Sequence, residues 1–68
     1  MMDDARAKVR KAVTEALRRA RKPQAVAAVE AGISPSTVSL AVRAGIVTVR
    51  TAERLAPVLG VAPEELLP

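Results

Sequence analysis

The chain has 68 residues and a formal net charge of +4 at pH 7, which limits it to one domain and favours a polyanionic partner. It contains no Cys or His, so disulfides, zinc fingers and His-based acid–base catalysis are excluded. No apolar stretch reaches the roughly 18 residues of a membrane span. We therefore expect a cytoplasmic protein that is not an enzyme, binds no cofactor or metal and does not enter a membrane.

The first predicted helix covers residues 4–21 and lies in the most basic part of the chain. Glu15 is expected to pair with Arg19 one turn later. Residues 1–22 hold eight basic and three acidic residues, a net charge of +5, and these basic side chains either contact phosphates or form a solvated face. Apolar residues recur at helical spacings of three and four, namely Ala5, Val9, Ala12, Val13, Ala16, Leu17 and Ala20.

Two short helices separated by a tight turn are predicted next. Pro23 is expected to end the first helix and to open a second one, over residues 23–31, at its first helical position. Gly32 is expected to end this second helix in the left-handed conformation. Ser34 then has the chemistry of an N-cap and predicts a third helix over residues 35–44.

A fourth helix is predicted over residues 49–59, with Thr48 as its N-cap. Pro57 is expected to kink this helix or to shift its last turn toward a 3₁₀ conformation. One more helical turn is predicted over residues 63–67. The predicted inner face of the fourth helix consists of Val49, Ala52, Leu55, Ala56 and Leu59.

Residues between positions 13 and 67 follow an order and a spacing along the sequence that are more specific than any one motif. They are Gln24, Ala28, Gly32-Ile33-Ser34, Ser36-Thr37-Val38-Ser39, Arg43, Thr48, Thr51, Leu55-Ala56, Leu59-Gly60-Val61 and Glu64-Glu65-Leu66-Leu67. This pattern resembles the Cro and lambda-repressor type helix-turn-helix family. The run from Ala41 to Gly45 looks particularly like the Cro version of the recognition helix.

The resemblance implies an all-α fold, a compact bundle of five short helices with a lambda-repressor-like DNA-binding unit. Residues 1–68 would form this single domain, with the helix-turn-helix unit at 23–45 and the recognition helix at about 35–44 in the major groove. The predicted base-facing residues are Pro35, Ser36, Ser39 and Leu40. The predicted phosphate-facing residues are Gln24, Ser34, Thr37, Arg43 and Lys22.

These expectations favour a DNA-binding transcriptional regulator, similar to a phage or plasmid repressor, with double-stranded DNA as its partner. Leu66 and Leu67 are the expected contact of a homodimer, which would recognise two half-sites one helical turn apart. Two of the site residues have simpler alternative roles. Gln24 would instead cap its helix, and Arg43 would instead pair with solvent or Glu30.

The alternative function is a protein–protein interaction module on the same scaffold, such as an antitoxin-like or transcription-inhibiting partner. Major-groove readout mainly uses Arg, Lys, Asn and Gln, and none of these lies between Ser34 and Val42. Leu40 and Pro35 stand where the family usually places polar readers. A third hypothesis, a membrane-surface peptide based on the basic first helix, is disfavoured by the missing aromatic anchors and by the ordered downstream pattern.

Overall fold

The computed structural model describes residues 2–68, with side chains from Asp4 onward. These residues form four α-helices and one 3₁₀ turn without any strand, so the predicted all-α class is confirmed. The helices are α1 (Met2–Ala20), α2 (Gln24–Ala31), α3 (Pro35–Ala44) and α4 (Val49–Leu59), and the 3₁₀ turn covers Pro63–Leu66.

The expectation of five helices is wrong, because a single 3₁₀ turn takes the place of the fifth. Leu67, which follows this turn, is extended with φ −107° and ψ 156°, as expected for a residue that precedes a proline. The start of the turn is fixed by Glu65, whose carboxylate accepts a hydrogen bond of 2.7 Å from the Ala62 N–H. The backbone therefore leaves helical geometry before an α-helix can propagate.

Small side chains bring the helices into close contact. α1 packs on α3, and α2 packs on both α3 and α4. Ala28, Ala41 and Ala52 are fully buried between them, so backbones approach where larger side chains would hold them apart. The largest fully buried side chains are Leu55, Leu66, Val9, Val13 and Val38. Leu66 therefore belongs to the core of its own chain and is not available as the dimer contact predicted for it.

The helix caps define the turn between α2 and α3. Gly32 ends α2 at φ +69°, in the left-handed region, where a residue with a Cβ is strained. The Ser34 hydroxyl accepts a hydrogen bond of 3.2 Å from the Ser36 N–H and so caps α3. Thr48 caps α4 in the same way, accepting from the Thr51 N–H at 3.1 Å. The bounds predicted for α3 and α4 are confirmed.

Gly45 ends α3 beside the backbone of Arg6 in α1. Its φ is +68°, and a Cβ built on it would overlap the backbone of Arg6. A side chain at this position would have to push α1 away from the end of α3. The glycine thus fixes how closely the basic helix lies beside α3.

Three local expectations need correction. Pro23 is the N-cap of α2, with ψ 154°, and does not occupy its first helical position. Val49 is 60% exposed, because the first residue of α4 lies beyond the edge of the core. Of the two effects predicted for Pro57, the shift of the last turn to a 3₁₀ conformation is wrong, because the helix remains α-helical to Leu59. The proline is exposed, so water can reach the carbonyl that lacks its usual partner.

Candidate nucleic-acid interface

One side of α3 faces away from the core. Ser36, Leu40 and Arg43 are exposed on this side, with Leu40 at 42%, and Ser39 is half-buried. Val38 on the opposite side is fully buried. The 3.6-residue repeat of the helix places the four outward residues on one stripe, which we call the outer face of α3. Pro35, the fourth predicted base-facing residue, is exposed at the start of the same helix.

The outer face carries its own hydrogen bond. The Arg43 Nε–H donates to the Ser39 hydroxyl at 3.0 Å, one turn earlier in α3. Glu30 is not the partner of Arg43, because it forms an ion pair with Lys22 instead. The alternative pairing of Arg43 with Glu30 is therefore wrong. The ion pair holds the Lys22 amine against Glu30, near the end of α2, and offsets part of its charge.

A groove runs between α1 and α3 beside the outer face. It consists of two adjoining cavities of about 410 and 390 Å³ that share Thr14 and Val42 as lining residues. Leu17 and Pro23 add apolar surface at one end. The basic residues that line it are Arg10, Lys11, Arg18, Arg21 and Lys22. We call this feature the basic groove.

Four of these basic residues, Arg10, Lys11, Arg18 and Arg21, are not among the predicted site residues, although the basic side chains of residues 1–22 are expected either to contact phosphates or to form a solvated face. Their spacing contains the signal that could have found them. Arg10, Thr14, Arg18 and Arg21 follow one another at intervals of four, four and three residues, which places them on one side of a helix. What the sequence does not reveal is that this side of α1 faces α3.

Gln24 lies at the same end of the groove as Arg18 and Arg21. It is exposed and is the first residue of α2. Pro23 occupies the N-cap position of α2, so Gln24 does not have its alternative role as the cap. Its amide remains available to the groove.

An ion-pair network on α1 extends into the basic groove, because Glu15 and Arg18 both line it. Glu15 accepts hydrogen bonds from Arg18 at 2.6 Å and from Arg19 at 3.2 Å, so the predicted pair with Arg19 is confirmed and Arg18 is an additional partner. The hydrogen bond from Arg18 holds the pKa of the Glu15 carboxyl below its usual value. The same hydrogen bond raises the pKa of the Arg18 guanidinium.

Four of the five predicted phosphate-facing residues lie on the flanks of α3, and the fifth, Arg43, lies on the outer face itself. Lys22 and Gln24 line the basic groove on the flank of Val42. Ser34 and Thr37 line a separate depression against α4. Since successive residues of a helix are rotated by about 100°, Thr37 and Val42 point in directions about 140° apart. The outer face is therefore bracketed by two distinct sets of polar groups.

Comparison of the chain with models of protein families, with curated proteins and with solved structures gave no match. Within residues 2–68, none of the helices combines the length and the apolar character needed to cross a membrane. The described residues also contain no group of three or more His, Cys, Asp or Glu side chains suited to a metal ion.

Proposed function

We propose that the chain is a DNA-binding transcriptional regulator whose helix α3 enters the major groove. One observation carries this proposal: the outer face of α3 lies beside a groove lined by five basic side chains. A helix fits into the major groove of B-DNA, and the flanking phosphates then lie beside it. The resemblance of residues 13–67 to the Cro and lambda-repressor type family supports the same arrangement.

In this proposal the phosphate contacts supply most of the affinity. Lys11 and Arg21 are exposed and form no ion pair within the described residues, so each is free to replace a condensed counterion on the duplex. Gln24 donates from its amide at the same end of the groove. These contacts position α3 without selecting a sequence.

The outer face supplies modest base discrimination. Ser36 and Ser39 can hydrogen-bond to several bases, and Leu40 can contact a thymine methyl group. Arg43 stands at the end of the face, held by Ser39. A homodimer would double these contacts over two half-sites, which would suit a repressor that binds a palindromic operator.

The experiment measures binding to a random-sequence DNA duplex by fluorescence anisotropy, in a salt series from about 50 to 200 mM. The test variant is Lys11→Gln with Arg21→Gln, in the basic groove. The control is Lys8→Gln with Arg19→Gln, which makes the same change in charge. Lys8 and Arg19 lie about 120–140° away from Thr14 around α1, on the side away from the groove.

We expect the parent to bind with an affinity that falls steeply with salt. The groove variant should lower the slope of log K against log salt by about 0.9 for each phosphate that it no longer neutralises, and the control should keep the parental slope. No binding at low salt would refute the proposal. Equal losses of affinity in both variants would show that net charge, and not the groove beside α3, attracts the duplex.

The exposure of Leu40 favours one second candidate function, a protein–protein interaction module. A leucine that is 42% exposed at a position where a polar base reader would be expected is suited to an apolar pocket on a partner. In that case the basic groove would be a solvated surface. A substitution at Leu40 separates the two functions.

A further inference from the structure

A second, smaller depression lies on the other flank of α3 and belongs to neither the outer face nor the basic groove. It has a volume of about 240 Å³ and lies between the α2–α3 turn and α4. Arg50 and Arg54 of α4 line it together with Ser34 and Thr37 of α3. We call it the α4 cleft.

The two arginines are placed to act together. Arg50 and Arg54 are four residues apart, so they lie on adjacent turns of the same side of α4. The guanidinium of Arg54 rests over the turn, because a Cβ built on Gly32 would lie 3.7 Å from the Arg54 Nη1. The glycine leaves room for this approach, and the turn limits where the guanidinium can go.

The hydrogen-bond donors of the α4 cleft are not occupied by contacts within the described part of the chain. Neither Arg50 nor Arg54 forms an ion pair with a described carboxylate, and both are exposed. The Ser34 oxygen already accepts from the Ser36 N–H, which leaves its proton free to be donated. Glu53 is the one carboxylate of α4. It is not one of the described residues that line the cleft.

From this geometry we infer that the α4 cleft binds a backbone phosphate of the DNA strand on the far side of the groove. The inference rests on the proposed function, since it assumes that α3 lies in the major groove. Guanidinium groups match phosphate oxygens through paired hydrogen bonds, and the hydroxyls of Ser34 and Thr37 add neutral donors. The cleft and the basic groove would then contact the two strands on either side of α3.

The test variant is Arg50→Gln with Arg54→Gln in the full chain, compared with Lys8→Gln with Arg19→Gln as a control of equal charge change. Binding to a random-sequence duplex is measured over the same salt series. The slope should fall by about 0.9 for each arginine that had neutralised a phosphate, so by up to about 1.8, and the control should keep the parental slope. Because both arginines are exposed, thermal melts by circular dichroism should match the parent.

A second measurement locates the contact directly. In a nuclear magnetic resonance titration of the ¹⁵N-labelled parent with the duplex, the Nε–Hε signals of Arg50 and Arg54 should shift together with the Thr37 amide. If the parent binds DNA and the cleft variant keeps its slope, or if these signals do not move, the inference fails and the proposed function stands. If the parent does not bind DNA at low salt, both fail together.

Discussion

The Arg43 guanidinium and the Ser39 hydroxyl are joined by a hydrogen bond of 3.0 Å on the outer face of α3. The two residues are one helical turn apart, so the bond needs no change in the backbone. It reduces the freedom of the long arginine side chain before any partner arrives. A contact from Arg43 to a phosphate would therefore cost less conformational entropy on binding.

The substitution Ser39→Glu tests whether this face meets phosphates. A carboxylate at this position would pair with Arg43 and repel the DNA backbone, so binding to a random duplex at low salt should weaken at least about tenfold, or about 1.4 kcal/mol. Ser39→Ala, which removes the hydroxyl and its hydrogen bond to Arg43 without adding charge, should weaken binding less than the glutamate does. Equal affinities for the glutamate and alanine variants would contradict a phosphate-facing role.

A pair of glycine substitutions tests the close approach of α1 to α3. Gly45→Ala should destabilise the protein by about 2–5 kcal/mol, because it adds a backbone overlap with Arg6 to the cost of a left-handed residue. Gly60→Ala is the control, since Gly60 has nearly the same φ and nothing within 4 Å of its added Cβ. It should cost about 1–2 kcal/mol. Urea denaturation followed by circular dichroism measures both, and equal losses of stability would place α1 farther from Gly45.

A proline substitution tests the effect of Pro57 on α4. Pro57→Ala should stabilise the protein by about 1–3 kcal/mol, because alanine restores a helical N–H and proline is unfavourable inside a helix. Pro57 is exposed, so little packing is removed. Pro63→Ala is the matched control: Pro63 starts the 3₁₀ turn, where proline is well suited, and its replacement should give no gain. Thermal melts that show no rise for Pro57→Ala would contradict the prediction.

Local chemistry explains which parts of the fold could be predicted. Ser34 and Thr48 define the starts of α3 and α4 by hydrogen bonds within three residues, so their signals are visible in the sequence. The burial of Leu66 and the exposure of Val49 depend on which elements lie opposite them. Such long-range contacts leave no local pattern.

The candidate site also has parts that the local sequence predicts and parts that depend on long-range packing. The outer face of α3 follows from the helical repeat once the cap at Ser34 is known. The ion pair between Lys22 and Glu30 depends on the turn after α1, where Arg21 adopts φ +55°. The α4 cleft depends on the packing of α4 against the α2–α3 turn, and nothing local in the sequence relates Arg54 to Gly32.

The ion-pair network on α1 predicts a specific response to acid. Because Arg18 holds the pKa of Glu15 below its usual value, the pair stabilises the folded state above the ordinary pKa of about 4.5. This contribution is lost as the pH falls through the lowered value of the folded state. The melting temperatures of the parent and of Glu15→Gln should therefore converge as the pH is lowered through this range.

Arg18→Gln provides the control for this effect. It should raise the pKa of Glu15 toward its ordinary value, as measured by carboxyl ¹³C shifts in a nuclear magnetic resonance titration. Because the network is exposed to solvent, added salt should reduce the difference as well. A Glu15 titration that is the same in the parent and in Arg18→Gln would contradict the assigned cause.

Leu40→Arg separates the DNA-binding function from a protein–protein one. If the outer face enters the major groove, the new guanidinium lies beside the duplex, so binding to random DNA should strengthen and the salt slope should steepen by about 0.9. If the face docks a protein, the same substitution buries an unpaired charge and weakens that complex, while any weak DNA binding stays the same.

Val29→Arg is the matched control, because Val29 is 77% exposed on α2 and its replacement adds the same charge away from the outer face. A larger gain in DNA affinity from Leu40→Arg than from Val29→Arg is the result expected for a helix in the groove, and equal gains would mean that α3 has no special position on the duplex.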